Sequence, residues 1–123
     1  MNTSLSIELR DNCLTATIVG KIDGQTAPEL QAQLLEALAP ATHAVFDVSQ
    51  VRYMSSAGFR MLLLSYRSLA IRGGRVALVG LAEEIRDTMA MTGFLDFFLL
   101  CDDVDEARER ALAACETAEG AKS

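Results

Sequence analysis

Residues 44–79 read AVFDVSQVRYMSSAGFRMLLLSYRSLAIRGGRVALV, and this stretch decides the fold. Ala44 to Val48 is apolar almost throughout, as expected of a strand covered on both faces. From Gly58 to Arg72 the apolar period becomes helical: Phe59, Leu62, Leu63, Tyr66, Leu69 and Ala70 follow the i, i+3, i+4, i+7 rule. Gly73-Gly74 then supplies the left-handed residue that stops a helix, and Arg75 to Val79 is another short buried strand. Buried strand, helix, buried strand implies parallel neighbours joined by a right-handed crossover.

Upstream, residues 4–9 alternate strictly, which predicts a strand with Leu5, Ile7 and Leu9 on one face. Asp11-Asn12 is a turn pair, and Leu14, Ala16 and Ile18 alternate again, so the first 20 residues read as an antiparallel hairpin. Gly20 to Gln25 is a loop. A helix follows, with Thr26 as its cap, Pro28 in its first turn and Glu29 closing a capping box. Leu30, Leu34, Ala37 and Leu38 share its inner face, and Pro40 ends it. Downstream, Glu83-Glu84 opens a helix with Ile85 and Met89 inside, which Gly93 closes. Phe97 to Leu100 is a weakly signalled strand, and Asp102-Asp103 caps a last helix carrying Val104, Ala107, Ala111 and Leu112. The polar segment 117–123 reads as a frayed, disordered tail. The expectation is one α/β domain over residues 1–116: a leading hairpin, then alternating helices and parallel strands, with a mixed sheet of four to five strands and about four helices.

The 123 residues are half hydrophobic and 23% charged, with a net charge of −6, and mean hydropathy is +0.22. So apolar a chain of modest charge does not stay disordered. An isoelectric point near 4.7 argues against nucleic acid as a partner, since phosphate backbones are bound by clustered Lys and Arg. No apolar run approaches the ~18 residues of a membrane span, and the first residues lack the pattern of a secretion signal. Cys13, Cys101 and Cys115 are dispersed, which fits neither a disulfide framework nor a metal site. Together these readings place the chain in the cytoplasm, with no membrane insertion, no metal and no cofactor.

Catalytic constellations are missing. His43, at the mouth of a strand, has no acidic or nucleophilic neighbour in pattern and reads as a surface or strand-edge residue. No glycine-rich stretch has the spacing of a dinucleotide or P-loop fingerprint, and the acidic pairs each open a helix. One segment does not reduce to packing: Ser49-Gln50-Val51-Arg52-Tyr53-Met54-Ser55-Ser56-Ala57-Gly58. Its paired serines stand at a helix start beyond the carboxyl end of a parallel strand, the side of an α/β sheet where ligands and partners engage.

The run Asp47 to Phe59 resembles the signature of STAS domains, in particular the bacterial anti-sigma factor antagonists: a strand ending Asp-x-Ser, a link containing hydrophobic residues, then an Asp/Ser-Ser-Ser/Ala/Thr-Gly-Leu turn into a helix. Gly20-Lys21-Ile22-Asp23 before Thr26-Ala27 is similar to the family's Gly-x-Leu/Ile-Asp loop before its first helix, and Met91-Thr92-Gly93-Phe94 to its Ser/Thr-Gly-Leu near the end of the third helix. The resemblance spans about residues 4–115. It implies a binding protein that is substrate and not enzyme. The unmodified form would bind an anti-sigma factor that is also a serine kinase of the histidine-kinase-like ATPase type. Phosphorylation would release it, and a PP2C-type phosphatase would restore it. By position the acceptor is Ser56, with Ser55 as second choice. The partner-binding residues implied are Asp23, Met54, Ser55, Ser56, Ala57, Gly58, Phe59 and Arg60, on a monomer or weak dimer. Ser55 replaces the family's common acidic residue, and Arg60 stands where a small residue is frequent. Other roles within the resemblance are a subunit of a lipid-transport ABC system, a stress-complex scaffold and a small-molecule-binding regulatory module.

Overall fold

A computed structural model describes the backbone of residues 3–122 and the side chains through residue 113. The hairpin comprises β1 (Ser4–Arg10) and β2 (Cys13–Val19). Its two-residue turn puts Asp11 at φ 55° and Asn12 at φ 63°, the left-handed conformation that Asp and Asn tolerate and a tight hairpin needs. Then come α1 (Ala27–Leu38), β3 (His43–Gln50), α2 (Ser56–Ala70), β4 (Val76–Val79) and α3 (Glu83–Thr92). A single 3-10 turn at Leu95–Phe97 leads into β5 (Leu99–Cys101) and α4 (Val104–Lys122). The sheet order is β1-β2-β3-β4-β5, with only the β1–β2 pair antiparallel.

Alternation along the strands divides the core between two faces. Leu14, Ala16, Ile18, Phe46 and Leu78 point to the face covered by α1, α2 and α3, and meet Leu34, Leu62 and Met89 there. Cys13, Val45, Ala77 and Cys101 point to the opposite face and pack with Ala107 of α4. Burial raises the pKa of the Cys13 and Cys101 thiols, as for small core side chains. Gly73, at φ +77°, reverses the chain after α2, and the Gly74 N–H donates to Leu69 O at 2.9 Å.

Three expectations need correction, and the shared apolar face of β1 is only partly covered. Leu5 is half-buried, but Ile7 and Leu9 are 41% and 46% exposed. β1 is the sheet's edge, and α1 packs on β2 and α2, so the outer apolar row is left uncovered. His43 is buried at the start of β3, where its Nδ1 accepts the Arg75 N–H at 3.1 Å. The last strand begins at Leu99 because the 3-10 turn consumes Leu95–Phe97. The segment expected as a tail is helical to Lys122, consistent with its good helix formers Ala, Glu and Lys. Its side chains and Ser123 lie outside the described residues.

Candidate functional site

The site is built where β3 ends. The Asp47 carboxylate accepts the Ser49 N–H at 3.1 Å and the Ser49 hydroxyl at 2.7 Å, and this local bond lies where the register of β3 against β2 shifts, between the Thr17–Asp47 and Val19–Gln50 pairs. Val51, donating to Val48 O at 3.0 Å, is fully buried and pins the loop below. The remaining loop is strapped to the segment after β2. The Gly20 N–H donates to Gln50 O, the Ile22 N–H to Tyr53 O, and the Ser55 N–H to Ile22 O, at 3.2, 3.0 and 2.9 Å. Ile22 and Met54 thereby form an isolated parallel bridge, which brings Asp23 beside the start of α2.

Asp23 has a structural task at that junction. Its Oδ1 accepts the N–H groups of Gln25 at 2.9 Å and Thr26 at 3.0 Å, while the Thr26 hydroxyl oxygen accepts the Asp23 N–H at 2.9 Å. The Ala27 N–H bonds to Asp23 O at 2.8 Å, so a helical turn already begins at Asp23. The capping box is therefore Asp23 with Thr26, not Thr26 with Glu29, because Thr26 has helical dihedrals and makes no cap bond of its own. The Thr26 and Gln25 N–H groups hold the Asp23 carboxyl below the usual carboxylate range, and Lys21 at 3.9 Å adds a smaller pull.

The paired serines have different surroundings. Ser55 is the last extended residue before α2, and its carbonyl accepts the Gly58 and Phe59 N–H groups at 2.9 and 3.1 Å. Its hydroxyl is buried and, among the described residues, has no hydrogen-bond partner. Ser56, the first residue of α2, is exposed. Nothing acidic occupies the first turn of α2 itself.

Of the expected partner-binding residues, Ser56 and Arg60 are exposed, and Asp23, Ser55, Ala57 and Phe59 are partly so. Met54 and Gly58 are buried. A Cβ on Gly58 would run into Met54 Cγ and Ile22 Cγ2, so this glycine is there because α2 crosses the strap at close range. Sequence reasoning missed Ile22, whose signal lay in the Gly-x-Ile-Asp loop. It also missed a groove of about 1050 Å³ between α1, α2 and α3, which starts at Ser56 and passes Arg60, Gln31, Thr88 and Phe94. Residues so far apart in the chain give no local pattern. Among the described residues, no three metal-ligating side chains cluster, and no helix is long and apolar enough to cross a membrane.

Comparison with known proteins agrees with this topology. The family model of the STAS domain matches residues 4–107. A Bordetella bronchiseptica protein provisionally named anti-sigma factor antagonist BtrV is 31% identical over 115 residues, covering 93% of this chain and 96% of the relative. A crystal structure of an anti-sigma factor antagonist from Mycobacterium paratuberculosis superimposes with TM-score 0.79 at 25% identity, covering 89% of this chain and 94% of that one. The anti-sigma factor antagonist SpoIIAA shares the fold in its unphosphorylated form at TM-score 0.72 and 16% identity, covering 89% and 98% of the two chains. In its phosphorylated form the values are 0.71 and 18%, covering 87% and 98%. With a family model across most of its length and a relative aligned nearly end to end, this chain belongs to the STAS domain family.

Proposed function

We propose that this protein is an anti-sigma factor antagonist that works by partner switching in the cytoplasm, as a substrate and not a catalyst. Its unmodified form binds an anti-sigma factor that is also a serine kinase of the histidine-kinase-like ATPase type. That kinase phosphorylates Ser56 and releases the protein, and a PP2C-type phosphatase restores it. The observation that carries the reading is the contrast between neighbours: Ser56 is exposed at the first position of α2, whereas the Ser55 hydroxyl is buried. Relatives named as antagonists support the role, and SpoIIAA is known in both phosphorylated and unphosphorylated forms.

Electrostatics explains how one phosphate releases the partner while the fold persists. It adds about −1.5 to −2 charge and three acceptor oxygens. At the start of α2 that anion meets the free N–H groups and positive dipole end of a helix, so the domain tolerates it. Across a docked interface the same dianion would have to be desolvated, which is costly. The test is incubation with the candidate kinase and ATP, then intact-mass measurement and phosphopeptide mapping. A single phosphate on Ser56 is expected; phosphate confined to another residue refutes the assignment.

A further inference from the structure

Ser56 and Arg60 are four residues apart on α2, both exposed, and both line the groove between α1, α2 and α3. Arg60 is the one charged side chain lining it. α1 contributes Ala27, Pro28 and Gln31, and α3 contributes Thr88 and Thr92. Other charged residues near Ser56 in sequence, or on the loop strapped beside it, do not line the groove. Asp23 is held in its capping box with Lys21 at 3.9 Å, Glu29 accepts from Gln33 beside a separate recess, and Arg52 on the preceding loop does not line the groove. Among the described residues the only ion pair is Lys21–Asp23, so no carboxylate holds Arg60.

We propose that Arg60 is the intramolecular receptor for a phosphate on Ser56, a pairing that also withdraws the guanidinium from the partner-binding face. The inference rests on reading Ser56 as the acceptor and adds a positioning residue to that switch. Residues at i and i+4 of a helix have Cβ atoms about 5–6 Å apart, and an acid N-terminal to a base is the favourable order. Helical side chains lean toward the N-terminus, so the long Arg60 side chain reaches back over the turn that carries Ser56. A planar guanidinium can donate two parallel hydrogen bonds to phosphate oxygens, which a lysine at the same place cannot reproduce. Phosphorylation then changes the surface twice: it adds an anion, and it removes a cation that a carboxylate on the partner could otherwise engage.

The test uses the full chain with phosphoserine installed at position 56 during synthesis, followed by phosphorus NMR titration. Pairing with Arg60 favours the dianion. The phosphate's second pKa should therefore lie at least half a unit lower in the parent than in Arg60→Ala, about threefold in proton affinity. Arg60→Lys should fall between them, and Arg52→Ala should match the parent, with all four proteins giving the same circular dichroism. Superimposable titrations of the parent and Arg60→Ala overturn the proposal, as does a shift of equal size in Arg52→Ala. Because no kinase is used, a failure of enzymatic phosphorylation at Ser56 would count against the acceptor reading and leave this pairing standing.

Discussion

Adding one methyl group at Gly58 should destabilise the protein, although the same change usually strengthens a helix. Glycine to alanine inside a helix gains about 1 kcal/mol from backbone propensity. Here the new Cβ would overlap Met54 Cγ and lie 2.9 Å from Ile22 Cγ2 and 3.3 Å from Ile22 Cβ. Met54 and Ile22 are 6% and 0% exposed, so neither has open space to retreat into. Overpacking of that kind costs roughly 1–3 kcal/mol, and with the propensity gain subtracted the net loss is about 1 kcal/mol. Gly24 is the internal control. A Cβ there meets nothing within 4 Å and its φ is not left-handed, so Gly24→Ala should stabilise by about 0.4–1 kcal/mol through the unfolded chain. Urea denaturation of both variants, read as a shift of midpoint at unchanged slope, gives the comparison. Hydrogen exchange adds a local readout. Wedging Ile22 from Met54 should speed exchange of the Ser55 and Ile22 amides, which hold the strap. A Gly58→Ala protein as stable as the parent would refute the close-packing argument.

Ser56→Asp should melt within about 1 kcal/mol of the parent, because a carboxylate at the start of α2 suits the dipole, yet it should bind the kinase poorly. Ser56→Ala should cost no more than about 0.5 kcal/mol, since the helix boundary lies at Ser55, and should still bind. Titration calorimetry beside thermal melts separates the two, and Asp-variant binding equal to the parent's would sink the switch. For Asp23, the folded pKa is depressed below the unfolded-chain value of about 3.9. Its capping contribution is therefore complete above that value and lost as pH falls through the lower folded pKa. The Gln25 and Thr26 amide resonances should titrate there, and a midpoint at or above the ordinary carboxylate value would contradict the capping geometry. Asp23→Ala should lower the melting temperature as well as weaken kinase binding, and a variant unchanged in melting would show that the cap is idle.

Local chemistry made much of this protein legible before any tertiary structure. The alternation of Leu14, Ala16 and Ile18, the helical spacing from Phe59 to Ala70 and the Gly73-Gly74 stop each act over a few residues, and the corresponding elements formed. The family motif likewise carried the expectation for Ser56, because a helix start beyond a strand is a local feature. What the sequence could not decide was which of two adjacent polar or apolar groups ends up covered. Leu5, Ile7 and Leu9 have the pattern of a buried face, but β1 lies at the sheet edge, and only the placement of α1 decides that Ile7 and Leu9 stay exposed. Asp23 and Thr26 both have capping chemistry, and the bridge between Ile22 and Met54 sets where the helical turn begins. Ser55 and Ser56 are chemically identical. Only the docking of the 49–55 loop against residues 20–23 buries one hydroxyl and presents the other, because burial depends on contacts between segments distant in the chain.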